Sequence, residues 1–570
     1  VKLIQVPTTD KFYFLTDKGL YEGGGIHEIS KAVYKGFRGN PVNGNDIYDL
    51  FFKGEELFYY FNSQLFQYNM LTKRGVEVSV YNDLRINQIS TAKVDREGII
   101  WIGGFRGLAN LASLRFQNFD ASTGLASPDI SAAILAKRHH YLLGFENGIQ
   151  LWVGPKPVKT IYFSKKDEQD QLDRVLNFAK DSDGNIWFSA FHQGLGYYHV
   201  ENETVNLFDL PEKIPVNYVM ANDNQIWAVG NDKIFQAPLP MAGVMPRFKL
   251  LDINLNGNDS LGFIRKIGKL EEGKLVIVTN ENRNTDGYQD LEEVTIISGF
   301  DYLERNDTLL VGTEEGLKYE KDGKLILYRV DGQEINYPVY SILEDGQNNI
   351  WLGTDSGVFL MEKGRLRGFN ESNGLIGNDI SRGALVEADR GRILIGSQNG
   401  VSVYIPSEDK GPPVSPGIIL EKVSVVDVEE VELDFPNIPY QLNNIVCHYS
   451  AASFTYSPGL IISYKLEGFH TEWQKIVNPR TNGLYFNNLP PGNYRLAIFA
   501  NFQGLPPSET VYSSEFNISY PFYFQPWFVL LVFLFLIGIG VVFNMIFRQY
   551  KNQLLLKRTI DRTTSQIKSR

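Results

Sequence analysis

The residue types that most often carry chemistry are sparse in this 570-residue chain, with seven histidines and one cysteine. His27, His139, His140, His192, His199, His448 and His470 form no H-E-x-x-H or comparable ligand pair. His139 and His140 are adjacent, so on a strand they face opposite sides and share no metal. Cys447 sits in the run I-V-C-H-Y, which reads as a strand with a small buried hydrophobe; alone, it makes no internal disulfide or thiolate cluster. P-loop, G-x-S-x-G and strand–helix Rossmann signatures are absent. The carboxylate pairs Glu292–Glu293 and Glu429–Glu430 read as solvated strand or turn residues rather than glycosidase acids. The oxygen-rich stretch Asn280–Asp290 lacks EF-hand spacing and a closing Glu, and reads as a polar loop. No catalytic residue, metal site or cofactor is expected from these residues.

Binding is better indicated than catalysis. Most equivalent turns of an internal repeat carry D-K-G, E-E-G, D-S-G or Q-N-G, whereas two carry an aromatic beside a cationic or titratable residue: Phe105–Arg106 and Phe191–His192–Gln193. Rings stack on sugar faces and Arg clamps a carboxylate or sulfate with two hydrogen bonds. These five residues are the candidate ligand contacts; the alternative is that they pack on a neighbouring domain or stand exposed. Trp101, Trp187, Trp227 and Trp351 lie on repeat strands and read as core.

The repeat itself recurs at about 42 residues, the size of a four-stranded propeller blade. Its clearest copies are Asp95–Leu108, Asp181–Leu195 and Asp345–Val358, and about ten copies are visible in all. D-x-x-G is a turn in which Asp accepts backbone hydrogen bonds, I-W-I-G is a short buried strand, and x-x-G-L is a hairpin into the next strand. Gly-rich and aromatic-rich composition without i, i+3, i+4 periodicity argues against helical repeats. Because propellers usually have about four to eight blades, the expected division is a partial propeller over 1–130 and a seven-bladed propeller over 131–412. The formal charge of −11 offers no nucleic-acid-binding surface.

After the Pro-rich stretch Gly411–Gly417, alternating short runs from 413 to 520 predict an immunoglobulin-like β-sandwich. Residues 521–547 then predict a transmembrane helix with an aromatic belt: Phe522, Tyr523, Phe524 and Trp527 precede the uncharged run Trp527–Phe547. Arg548, Lys551, Lys557 and Arg558 follow it, which by the positive-inside rule places 548–570 in the cytoplasm and 1–526 outside. Leu556, Ile560, Thr563 and Ile567 are spaced as at the start of a coiled coil or on a solvated juxtamembrane helix. The chain starts at Val1 without a signal peptide, as expected of a sequence cut or processed at its start.

The blade pattern D-x-x-G-N-I-W-I-G-T-x-x-G-L resembles the two-component regulator propeller repeat. The segments Y-K-L-E-G-F-H-T-E-W (Tyr464–Trp473) and L-Y-F-N-N-L-P-P-G-N-Y (Leu484–Tyr494) resemble the triple-tyrosine domain, whose three tyrosines fall on Tyr464, Tyr485 and Tyr494, with Trp473 beside them. The resemblance implies the periplasmic sensor region of a single-pass inner-membrane receptor, similar to the hybrid two-component sensor histidine kinases of polysaccharide utilisation. It also implies an oligosaccharide or similar small ligand and a homodimer working across the membrane. Such families commonly have about fourteen blades; about ten are visible here, and neither a phosphoacceptor nor an ATP-binding segment is present in this sequence. A membrane-tethered regulator with a helix-turn-helix output and a glycan-active propeller enzyme remain the alternatives.

Overall fold

A computed structural model describes the chain except residues 7–10, 17–18, 26–27, 35–46, 71–72, 79–87, 106, 164–172, 223, 240–243, 245, 252–260, 281–287, 291–293, 331–332, 410–414, 427–436, 453–459, 478–481, 503–505 and 569–570. The stretch 281–287, the two carboxylate pairs and Arg106 therefore lie outside the described residues.

The D-x-x-G turns form as their chemistry dictates. Asp181 Oδ1 accepts from the backbone N–H of Asn185 at 2.8 Å, and Asp345 Oδ1 accepts from Gln347 and Asn349, both at 2.9 Å. The Gly of the following hairpin is obligatory for two reasons. Gly357 has φ +109°, and a Cβ there would collide with the carbonyl oxygen of Phe369.

These turns link antiparallel strands into blades. Among the described residues, three come first, at 2–34, 48–77 and 89–111, the third with three strands. Seven more follow: six four-stranded blades at 130–162, 175–208, 218–250, 264–298, 301–327 and 339–369, and a closing blade built from 380–404. The fourth of these departs from simple meander order, because Val294–Ser298 inserts parallel to Leu275–Thr279 and leaves Tyr288–Asp290 at the edge.

The ring of seven is closed by a strand from before it in the chain. Phe116–Phe119 pairs antiparallel with Gly400–Tyr404, and the innermost strands of the first and last blades meet at Ala132 and Gly383. The ring therefore draws on both sides of the boundary expected at 131. Gly383 permits this approach, since a Cβ would strike the carbonyl oxygen of Leu176. Neighbouring inner strands are also tied by side chains: Asn177 exchanges two hydrogen bonds with the Val219 backbone, and Ser131 Oγ donates to Val175 O at 2.6 Å. Trp187, Trp227 and Trp351 are buried, and Trp101 is half-buried.

The chain separates into two units near Pro413 and Val414. In the second, Gly417–Val425, Ile445–Ala452 and Gly483–Phe486 form one sheet. The other contains Leu460–Glu467, Gln474–Val477, Gly492–Phe502 and Phe516–Ile518. Ile462, Leu466, Leu484, Leu496 and Ile498 fill the space between them. Cys447 is fully buried in this core, where burial pushes its thiol up to about 12, so it is inert. Helix Pro526–Lys568 ends the unit; its 43 residues rise about 65 Å, more than twice a hydrocarbon core. It is the one described helix long and apolar enough to cross a membrane, and its apolar side chains are exposed.

Candidate functional site: the channel of the seven-bladed ring

Innermost strands of a propeller line its axis, so side chains near their starts face a common space. A cavity of about 270 Å³ occupies that axis and takes lining from all seven inner strands. Its polar residues include Asn177, Tyr218, Arg265, Lys266, Asp301 and Arg382. Three cations thus face one carboxylate.

That carboxylate is fully engaged. Asp301 Oδ1 ion-pairs with Lys266 and accepts from the Tyr302 N–H at 2.8 Å, while Oδ2 accepts from the Ile342 N–H of the next blade at 2.8 Å. Burial alone would pull the Lys266 ammonium down; Asp301, with Tyr218, instead holds its pKa above the ordinary lysine value. Arg265 donates to Gly299 O at 2.9 Å and lies over the Phe300 ring, 4.1 Å from its centroid. Burial lowers its pKa, opposed by the exposed Glu314 nearby. Arg382 differs: among the described residues no hydrogen bond or ion pair reaches its guanidinium. Burial lowers its pKa and the positive charge of Arg265 lowers it further, partly opposed by Asp301 and Tyr218. Tyr218 is kept a neutral phenol by burial.

A second cavity of about 270 Å³ lies at the outer side of the first and closing blades. It is walled by Phe119, Leu143, Trp152 and Leu394, and His139 and Arg392 also line it. His139 Nδ1 stands 3.0 Å from Asp389, whose Oδ2 also accepts from the His139 backbone N–H at 2.6 Å. This ties one blade to the next.

The residues singled out from turn chemistry lie elsewhere. Phe105 is 80% exposed in the third of the early blades. Phe191 is half-buried, its ring 4.6 Å from that of His192, and its backbone is bonded to Arg174 and Val216. The His192 N–H donates to Asp173 at 2.9 Å, which fixes this turn, and Gln193 is half-buried beside it. None of Phe105, Phe191, His192 and Gln193 lines either cavity. The channel residues carried a sequence signal of their own. Of the seven inner strands, only I-R-K-I-G-K, D-Y-L-E-R and I-S-R-G-A-L-V-E place a charge among their first three residues.

In the sandwich, Tyr494 stands at the start of Gly492–Phe502 with its ring buried, and its hydroxyl donates to Pro490 O at 2.7 Å. This is the tyrosine corner of immunoglobulin-like sandwiches. Tyr464 packs half-buried against Phe486, Tyr485 is 60% exposed, and Trp473 meets Phe499 edge to face at 4.8 Å. Residues 453–519 match the Y_Y_Y domain family, and residues 333–356 match the two component regulator propeller family. The chain carries a Y_Y_Y domain. No curated protein sequence matches the chain significantly. Among solved structures, an extracellular domain named for a hybrid two component system of B. thetaiotaomicron aligns with a TM-score of 0.58 at 17% identity, covering 90% of this chain and 77% of that one. A second such domain from the same organism aligns at 17% identity with a TM-score of 0.43, covering 92% and 75%. The first likeness is one of fold and covers nearly the whole chain.

Proposed function

We propose that this chain is the sensing and membrane-spanning region of a single-pass receptor that passes a ligand-driven change to a histidine kinase output. The observation that carries this reading is the join between the Y_Y_Y domain and the helix. Strand Phe516–Ile518 is held between Gly492–Phe502 and Asn437–Ile438, and only residues 519–525 separate it from Pro526. A 3₁₀ turn at Phe522–Phe524 lies within that link, the Phe522 ring packed edge to face on Tyr523 and on Phe528. A displacement of the sandwich is thereby transmitted to the helix rather than absorbed by slack chain. The positive charges that follow the apolar run Trp527–Phe547, in the second half of the helix, orient it with the propellers in the periplasm and 548–570 on the cytoplasmic side of the inner membrane. The ligand is a small solute of the oligosaccharide class, and the working form is a homodimer, because one helix reports movement only relative to another.

Cysteine cross-linking tests this reading. Cys447 is buried, so Ile560→Cys and Ile567→Cys each introduce one accessible thiol on the exposed stripe. Disulfide-linked dimers in membranes are expected at these positions but not at Arg558→Cys on another face. Absence of cross-links at both stripe positions, with and without ligand, would remove the dimeric mechanism.

A further inference from the structure

We infer that the axial channel of the seven-bladed ring binds an oxyanion, a carboxylate or sulfate group, through Arg382 and Arg265. The inference goes beyond the receptor reading and does not need it, because binding is measured on the protein whatever its output.

Three observations converge. First, Arg382 projects from the closing blade's inner strand and Arg265 from that of the fourth blade, so blades far apart around the ring deliver both guanidiniums to one cavity. Second, the charges do not balance within the lining. Asp301 ion-pairs with Lys266 and accepts from two backbone N–H groups, while among the described residues neither arginine has a carboxylate within ion-pair distance. Third, the two arginines differ in what is left to bind. Arg265 is anchored by a carbonyl and an aromatic face, while Arg382 has no hydrogen-bond or ion-pair partner among the described residues. Like charges in a partly desolvated space raise each other's energy, and an anion between them converts that repulsion into charge-assisted hydrogen bonds. The planar fork of a guanidinium matches two oxygens of a carboxylate or sulfate.

Size narrows the ligand. About 270 Å³ lies just below the ~300–1,000 Å³ of common small-molecule sites. It accommodates the charged group and about one ring, with the remainder of a longer molecule outside. Tyr218, held neutral, offers a hydroxyl donor that suits an oxygen-rich solute. Lys266 is a poor probe of the idea, since its loss would leave Asp301 buried and unpaired.

The experiment uses the full chain in detergent and three solutes, sodium sulfate, sodium glucuronate and neutral glucose, with ionic strength matched by sodium chloride. Calorimetry and thermal unfolding should give saturable binding of sulfate or glucuronate and none of glucose; whichever anion binds more tightly identifies the group. Arg382→Gln and Arg265→Gln should each weaken that binding about tenfold or more, and Arg382→Lys should lose less. Circular dichroism confirms that the variants fold, and the two substitutions on separate blades guard against one failing to do so. Equal binding of glucose, no saturable binding of either anion, or unchanged binding in both Gln variants would overturn the proposal.

Discussion

The Trp351 indole N–H donates to Asp345 Oδ2 at 2.9 Å, joining the first residue of the repeat's turn to the second residue of its buried strand. The same bond recurs between Trp187 and Asp181 at 3.0 Å and between Trp101 and Asp95 at 2.7 Å. One carboxylate thus caps the turn with Oδ1 and satisfies the indole with Oδ2. This explains the fixed spacing of Asp and Trp, because a Trp buried in a blade needs a partner for its one donor. The third blade of the ring shows the converse. Its turn is shorter, Ala221 stands six residues before Trp227, and the buried Trp227 indole nitrogen has no hydrogen-bond partner among the described residues.

Asp345→Ala is therefore expected to cost about 2–3 kcal/mol, since it strands a buried indole donor and opens the turn. Trp351→Phe should cost more than Trp227→Phe, because only the former gives up a hydrogen bond. Urea unfolding of the three variants, followed by Trp and far-UV signals, measures this order. Equal losses for the two Trp substitutions would show that the indole bond contributes nothing.

Two of the motif tyrosines should separate by role. Tyr494→Phe removes the bond to Pro490 O and should destabilise the sandwich by about 1 kcal/mol. Tyr485→Phe, with its ring exposed, should change stability by less than about 0.5 kcal/mol. Thermal melts of both variants distinguish a structural corner from an exposed position available for contact.

Acid should weaken the sandwich through His470. Burial lowers the pKa of this ring, and its Nδ1 accepts from the Leu466 N–H at 3.1 Å, an arrangement only the deprotonated nitrogen allows. The folded state thus binds the proton less readily than the unfolded chain. The contribution is fully present above the unfolded value of about 6.5 and is lost as pH falls below it toward the lowered folded value. His470→Gln should flatten that part of the stability–pH curve; a slope unchanged between about pH 5 and 7 would count against this account.

How much of this was legible in sequence depended on whether a residue's meaning was local. The blades were, because D-x-x-G and x-x-G-L specify turns through Asp95, Asp181, Asp345 and Gly357 wherever they occur. The sandwich was, through the turn that presents Tyr494. The channel was not read, because the charges of Arg265, Asp301 and Arg382 near their strand starts gain meaning only once the ring brings those strands to one axis. Turn chemistry pointed instead to Phe105–Arg106 and Phe191–His192–Gln193; at the second, backbone bonds to Arg174, Val216 and Asp173 hold the turn in place.

The closing strand was illegible for a related reason. F-Q-N-F carries no turn signature, and its partner lies almost three hundred residues later. Yet the contacts are specific. Phe116 pairs with Tyr404 and Phe119 with Val401, both phenylalanines buried, and Asn118 Oδ1 accepts from Ser402 Oγ at 2.7 Å while its amide donates to Gly374 O at 3.0 Å. Arg115 adds an ion pair to Asp409 at 3.3 Å. A ring whose last blade lacks its outer strand exposes a hydrogen-bonding edge and the apolar faces of Phe369 and Tyr404, which Phe116 covers. Phe116→Ala is expected to cost about 3–5 kcal/mol, the range for emptying a buried aromatic site. The loss should be localised: hydrogen exchange should quicken first in Gly400–Tyr404 and Ile393–Ser397, before the second and third blades of the ring. Uniform acceleration around all seven blades would mean that the ring unfolds as one unit and that this strand is not its latch.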